Sequence, residues 1–143
     1  MGKYYQKGLP CDLMPKEILE HVPNLYGQEN IKPLDKVVHA FYFIPLICNW
    51  TWYLTEYDPK TQNAFGFVLG SEPEWGYFNL AELKELGAQR WLVDDFPQTF
   101  ESLIDIDLKK QMSQENIARV FQMSQEDIER VFNKPNERNN LVR

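Results

Sequence analysis

Four carboxylates, Glu56, Asp58, Glu72 and Glu74, are the residues of this chain whose type and spacing offer chemistry. They flank two apolar segments, and pairing those segments would gather acids at one end of a sheet. Three convergent carboxylates suffice to hold a hard divalent cation, which can activate water for hydrolysis. Glu56 and Glu74 are the pair on which a metal-dependent hydrolase or nuclease would rest. The other two acids have plainer roles: Asp58 precedes Pro59 as a turn initiator, and Glu72 precedes Pro73 as a solvated charge. His39 lies in an apolar run and reads as a core histidine with one hydrogen bond. The chain has no glycine-rich phosphate loop, no nucleophile elbow and no Cys/His spacing suited to zinc. No catalytic residue, cofactor or bound metal is therefore expected.

The elements that must place these acids are legible from periodicity. Residues 13–22 form a short amphipathic helix with Ile18, Leu19 and Val22 on one side, and PNLYGQEN ends it. VVHAFYFI at 37–44 is β-branched and aromatic enough for a buried strand. NWTWYLTEY and AFGFVLG form an antiparallel hairpin across the turn DPKTQN. With side chains alternating along a strand, Trp50, Trp52, Leu54, Glu56 and Asp58 share one face, so two indoles lead to two acids at the margin of a core. Thr51, Tyr53, Thr55 and Tyr57 share the other face, whose hydroxyls and rings suit a half-solvated contact surface for a protein partner. Glu56, Glu72 and Glu74 border it. EWGYFNL is a further strand running into a helix with Asn79 and Glu82 at its start and Gly87 at its end. RWLVDDFP at 90–97 returns as an edge strand. The expected class is α+β: an antiparallel sheet of three to five strands with short flanking helices, followed by a helical hairpin.

A 143-residue chain with 43% hydrophobic and 14% aromatic residues is long enough to bury a real core. Its net charge of -6 is concentrated at the front. Residues 1–97 carry 8 basic against 13 acidic side chains, and residues 98–143 carry 7 against 8. Such a balance disfavours sequence-independent binding to phosphate backbones and suits a basic partner. Cys11 and Cys48 are the only thiols and fit a reducing compartment. The start MGKYYQKG has no apolar signal core, and the longest apolar run, at 37–48, is too short to span a bilayer. A soluble cytoplasmic protein is expected.

Two domains are expected, residues 1–97 and residues 98–143. The second contains a tandem repeat, QMSQENIARVF at 111–121 and QMSQEDIERVF at 122–132. Each copy supplies a capping serine (Ser113, Ser124) and an apolar stripe at helical spacing, so two short helices joined near Gln122–Met123 are predicted. The pair resembles a helix-turn-helix, which raises a DNA-binding autoregulator as an alternative function. Its second helix would present Gln125, Glu126, Asp127 and Glu129 to DNA, with Arg130 and Lys134 as its cations, and acids there repel phosphates. DNA is accordingly not an expected partner, whereas packing or homo-oligomerisation through residues 111–133 is.

LMPKEILEHVPNLYG at 13–27, NWTWYLTEYDP at 49–59, FGFVLGSEPEWGYFNLAEL at 65–83 and WLVDDFP together resemble a family of small domains of unknown function encoded by phages, plasmids and integrative elements. The resemblance covers roughly residues 10–97 and marks Trp52, Glu56, Asp58, Glu74, Gly76, Tyr77 and Phe78 as motif positions without assigning them roles. Some members of that family are associated with anti-CRISPR activity against type II RNA-guided nucleases. The resemblance thus implies a non-catalytic inhibitor acting on a protein or ribonucleoprotein of a bacterial defence system, in the host cytoplasm.

Overall fold

Alternating apolar residues of 51–79 pair as a three-stranded antiparallel meander, and the rest of the first unit is arranged around it. A computed structural model describes residues 12–45, 49–91 and 96–133. Cys11, Cys48, Lys134 and positions 92–95 of the expected closing strand lie outside the described residues. The chain divides into two compact units, residues 1–100 and 101–143.

In the first unit α1 (Lys16–Leu19) is followed by β1 (Val37–Val38), β2 (Ala40–Phe43), β3 (Thr51–Asp58), β4 (Asn63–Leu69) and β5 (Pro73–Asn79). Then come α2 (Leu80–Glu85), β6 (Gln89–Arg90) and β7 (Gln98–Thr99). Five strands form one sheet in the order β5-β4-β3-β2-β6, and β1 pairs with β7 in a second, two-stranded sheet. The fold is α+β. The expected strand at 37–44 is split at His39, because the two halves join different sheets.

Asp58 closes the β3–β4 turn as its sequence suggests: its carboxylate accepts from Lys60 N at 2.9 Å and Thr61 Oγ1 at 2.9 Å. The same bonds hold its pKa below the usual carboxylate value. Asn79 caps α2 by accepting from Glu82 N at 3.2 Å, and Gly87, at φ 84°, provides the left-handed exit that favours glycine.

One face of the sheet packs Ala40, Tyr42, Trp52, Leu54, Ala64 and Val68 against Leu13, Leu80, Leu83 and Ala88. The other packs Tyr53, Phe67, Trp75 and Phe100 as a network of rings with centroids 5.0–6.0 Å apart. Each fully buried large apolar side chain contributes about 1.5–3 kcal/mol.

The register of β3 against β4 is continuous from Thr51↔Leu69 to Leu54↔Gly66 and then slips, with Glu56 opposite Phe65. Thr55 is the extra residue of a β-bulge. Its Oγ1 donates to Phe65 O at 3.0 Å. Gly66 makes the bulge possible, because a Cβ there would lie 1.8 Å from Tyr53 O. The bulge reverses the alternation expected for β3. Trp52 and Leu54 are joined on the core face by Tyr57, while Glu56 passes to the opposite face.

One helical stretch starts at Phe100, the last residue of the first unit, and makes up the front of the second: α3 (Phe100–Leu103) continues through a π-helical turn at Ile104–Leu108 into α4 (Lys109–Gln111). The repeat then forms α5 (Gln114–Val120) and α6 (Gln125–Phe132). Ser113 and Ser124 cap them as predicted, and Asp127 completes a reciprocal capping box on α6. Gln122 takes a left-handed φ of 51° at the turn, the place where glycine is usual. Ile117, Phe121 and Val131 are buried. Lys109 ties α6 down by donating to Val131 O at 3.0 Å and lying 5.2 Å over the Phe132 ring.

Candidate functional site

Glu56 is buried, at 3% exposure, and its two oxygens are both engaged by backbone. Tyr26 N donates to Oε1 at 2.7 Å and Gln28 N to Oε2 at 2.9 Å. The loop that follows α1 is thereby drawn onto the end of β3. Tyr57 N donates to Pro23 O at 2.9 Å beside it. The Gln28 side chain extends the link: its amide donates to Thr55 O at 2.8 Å and Val37 O at 3.0 Å, and accepts from Val37 N at 2.7 Å. Lys36 Nζ donates to Gln28 O. Tyr26, at φ 71°, is held in a conformation uncommon for a residue with a side chain. The carboxylate thus organises a loop, and its hydrogen-bonding capacity is directed at that loop.

The proposed acid constellation does not assemble. Directly opposed residues of antiparallel strands share a face. Glu56 is level with Phe65 and Tyr77, whereas Glu74 is level with Val68 and Trp52. The two glutamates therefore point to opposite faces of the sheet and do not come together in one site. Asp58 is a turn residue, and Glu72 is exposed. Among the described residues, no group of three His, Cys, Asp or Glu side chains could hold a metal ion.

The Thr51, Tyr53, Thr55, Tyr57 row also needs correction as a contact surface. Tyr53, Thr55 and Tyr57 are buried, and the bulge sends Tyr57 to the core face, away from Tyr53. Aromatic alternation in β3 reflects a strand covered on both sides, not a solvated one.

The exposed aromatic material lies two strands further out, on β5, at the sheet edge. Tyr77 is 58% exposed, and Tyr26, presented by the Glu56-held loop, is 65% exposed. The Tyr77 hydroxyl donates to the Tyr26 hydroxyl at 3.4 Å. Phe65 packs edge-on to Tyr77 at 5.0 Å and stacks on Trp75 at 6.1 Å. The Tyr77 pKa is raised, first by that hydrogen bond, then by desolvation, then by the nearby Tyr26, Glu56 and Glu29 charges. Glu29, Glu72 and Glu74 are all exposed in the same unit. Of the motif positions, Trp52 and Phe78 serve the core, Tyr77 is exposed, and Gly76 faces open space. Tyr26 was hidden in a segment legible only as a helix breaker, whereas the Trp75–Tyr77 alternation opposite Phe65 and Phe67 was a usable signal for this strip.

On α6, Arg130 pairs with Glu101 at 2.6 Å and Asp127 at 3.0 Å, which raises its pKa, and Glu126 and Glu129 are exposed. Among the described residues no helix is long and apolar enough to cross a membrane. Comparison of the chain with protein-family models, with curated proteins and with solved structures gives no match.

Proposed function

We propose that the chain is a non-catalytic, protein-binding inhibitor carried by a mobile genetic element and directed at a type II RNA-guided nuclease in the host cytoplasm. The observation that carries this reading is the exposed Tyr26–Tyr77 pair, with Tyr77 and Trp75 on the edge strand β5 and Phe65 beside them on β4. Rigid aromatic side chains are favoured anchors of protein interfaces, and an edge strand offers unpaired backbone groups to an extended partner segment. The acidic surroundings supply complementarity to a basic protein. RNA-guided nucleases hold nucleic acid in a positively charged channel, and opposite potentials speed encounter and fix orientation. Residues 111–133 provide a second contact or a self-association surface.

The test is a cleavage assay with purified type II effectors, guide RNA and target DNA. The native protein suppresses cleavage near equimolar ratio with at least one effector, and the Tyr26→Ala/Tyr77→Ala variant loses that inhibition while remaining folded. No inhibition by the native protein at large molar excess across several effectors overturns the proposal.

A further inference from the structure

The ladder between β4 and β5 fixes which way each peptide group of the edge strand points. Its register runs without a shift from Asn63↔Asn79 to Leu69↔Pro73. Leu80 N donates to Gln62 O at 3.0 Å, so this next pair in the same register is a hydrogen-bonded one. Hydrogen-bonded and non-hydrogen-bonded pairs alternate along an antiparallel ladder. Phe78, Gly76 and Glu74 therefore direct their N–H and C=O groups toward β4, and Trp75, Tyr77 and Asn79 turn theirs outward. Among the described strands β5 is the outermost on this side of the sheet. The edge thus presents the start of a further ladder centred on Tyr77, which is 58% exposed.

Side chains alternate along the same strand. Trp75 and Tyr77 share the face of Phe65, and Glu74, Gly76 and Phe78 share the other. Glycine inside a strand often marks a bulge or the close approach of another group. Gly76 lies in an unshifted ladder, and a Cβ there would meet nothing within 4 Å. It leaves a bare notch between the exposed Glu74 and the half-buried Phe78. Residues 71–83 carry Glu72, Glu74 and Glu82 and no lysine or arginine. A second copy paired on β5 would add its own acids to this edge, which works against it, whereas a cationic strand is favoured. We infer that β5 is extended by a strand of the partner that sets an arginine or lysine opposite Gly76. The stem of that side chain crosses the bare glycine against Phe78, and its head group reaches Glu74 on the diagonal. The residues on either side of it pack on Trp75 and Tyr77. This inference rests on the reading of the aromatic edge as the working contact, and it adds the form and chemistry of the segment bound there.

The experiment titrates the native protein, without any effector, with the peptide acetyl-Thr-Thr-Val-Arg-Val-Thr-Thr-amide up to millimolar concentration and follows it by NMR. Saturable shifts centred on β5 are expected. Exchange of the Tyr77 amide slows, whereas that of Gly76, already directed at β4, is unchanged. N-methylation of the two valines, whose N–H groups face β5, weakens binding at least about tenfold, a difference of about 1.4 kcal/mol. N-methylation of the arginine, whose N–H faces away, has much less effect. Norleucine or glutamate in place of the arginine weakens binding severalfold. Glu74→Gln, at an exposed position, removes the advantage of arginine over norleucine, and Gly76→Val, which has room for its side chain, weakens the arginine peptide. Absence of saturable binding, equal binding of the norleucine peptide, or equal effects of the two methylation patterns overturns the inference. So does a concentration-dependent dimer that protects the Tyr77 amide. Suppression of nuclease cleavage alongside any of these results leaves the inhibitor reading standing, and failure to inhibit beside saturable peptide binding overturns that reading alone.

Discussion

Glu56→Gln separates a carboxylate that builds structure from one that does chemistry. The substitution keeps size and shape but replaces one oxygen by an amide NH₂. Two backbone donors converge on this group, Tyr26 N at 2.7 Å and Gln28 N at 2.9 Å. One of them must then face another donor. A hydrogen bond to a charged group contributes about 1.5–3 kcal/mol, and a buried donor left without an acceptor costs about 1–3 kcal/mol. Allowing for local relaxation and for the neutral bond that persists, the expected loss is about 2–4 kcal/mol. For a unit of this size that lowers Tm by roughly 10–25 °C. All four tryptophans lie within residues 1–100, so their fluorescence during urea denaturation reads the first unit selectively. The midpoint should fall with the slope unchanged. Amide exchange supplies the local readout: Tyr26 N and Gln28 N are protected in the native protein, and at least one loses protection in the variant. Stability within about 0.5 kcal/mol of native, a change typical of neutral surface substitutions, together with undiminished protection of both amides, would refute the structural role.

Two glycines on neighbouring strands should respond oppositely to alanine. Gly66→Ala places a Cβ 1.8 Å from Tyr53 O and should destabilise by more than about 4 kcal/mol or abolish soluble expression, whereas Gly76→Ala meets nothing within 4 Å and should stay within about 1 kcal/mol of native, both read by circular dichroism and denaturation. His39, with its folded pKa below the unfolded value of 6.5, makes the unfolded state the stronger proton binder as pH falls. Stability of the first unit is therefore full above that value and declines below it, and His39→Gln flattens the decline in urea titrations at successive pH values. Ser124→Ala removes the capping box of α6 and should cost about 1 kcal/mol in the second unit, measured by thermal unfolding of helical circular dichroism.

Local chemistry was the part of the fold most legible in the sequence. Asp58 before Pro59 made the turn, Asn79, Ser113 and Ser124 made the caps, and the hairpin followed from alternation between turn residues. Alternation failed at Thr55, because a rule of period two has no term for an inserted residue. Beyond the bulge every side chain of β3 changes face, which moved Glu56 away from Glu74 and dismantled the acid cluster. A warning was present in Gly66, since glycine inside a strand often marks a bulge or a close backbone approach. The loop after α1 was legible only as an interruption. Its order comes from Glu56 and the Gln28 amide, contacts between residues about thirty positions or fewer apart in sequence that no local pattern encodes. The burial of Tyr53 and Thr55 likewise depended on Phe100 and on the loop, not on β3 itself.

The working surface proposed for this protein is tested most directly by an amide-exchange footprint, recorded with and without a type II effector ribonucleoprotein, the proposed target. Slowed exchange on complex formation should concentrate in β5, residues 73–79, and in the loop carrying Tyr26 to Glu29. A footprint confined to residues 101–133, or none at either β5 or the loop, would contradict the assignment of the aromatic edge as the inhibitory contact.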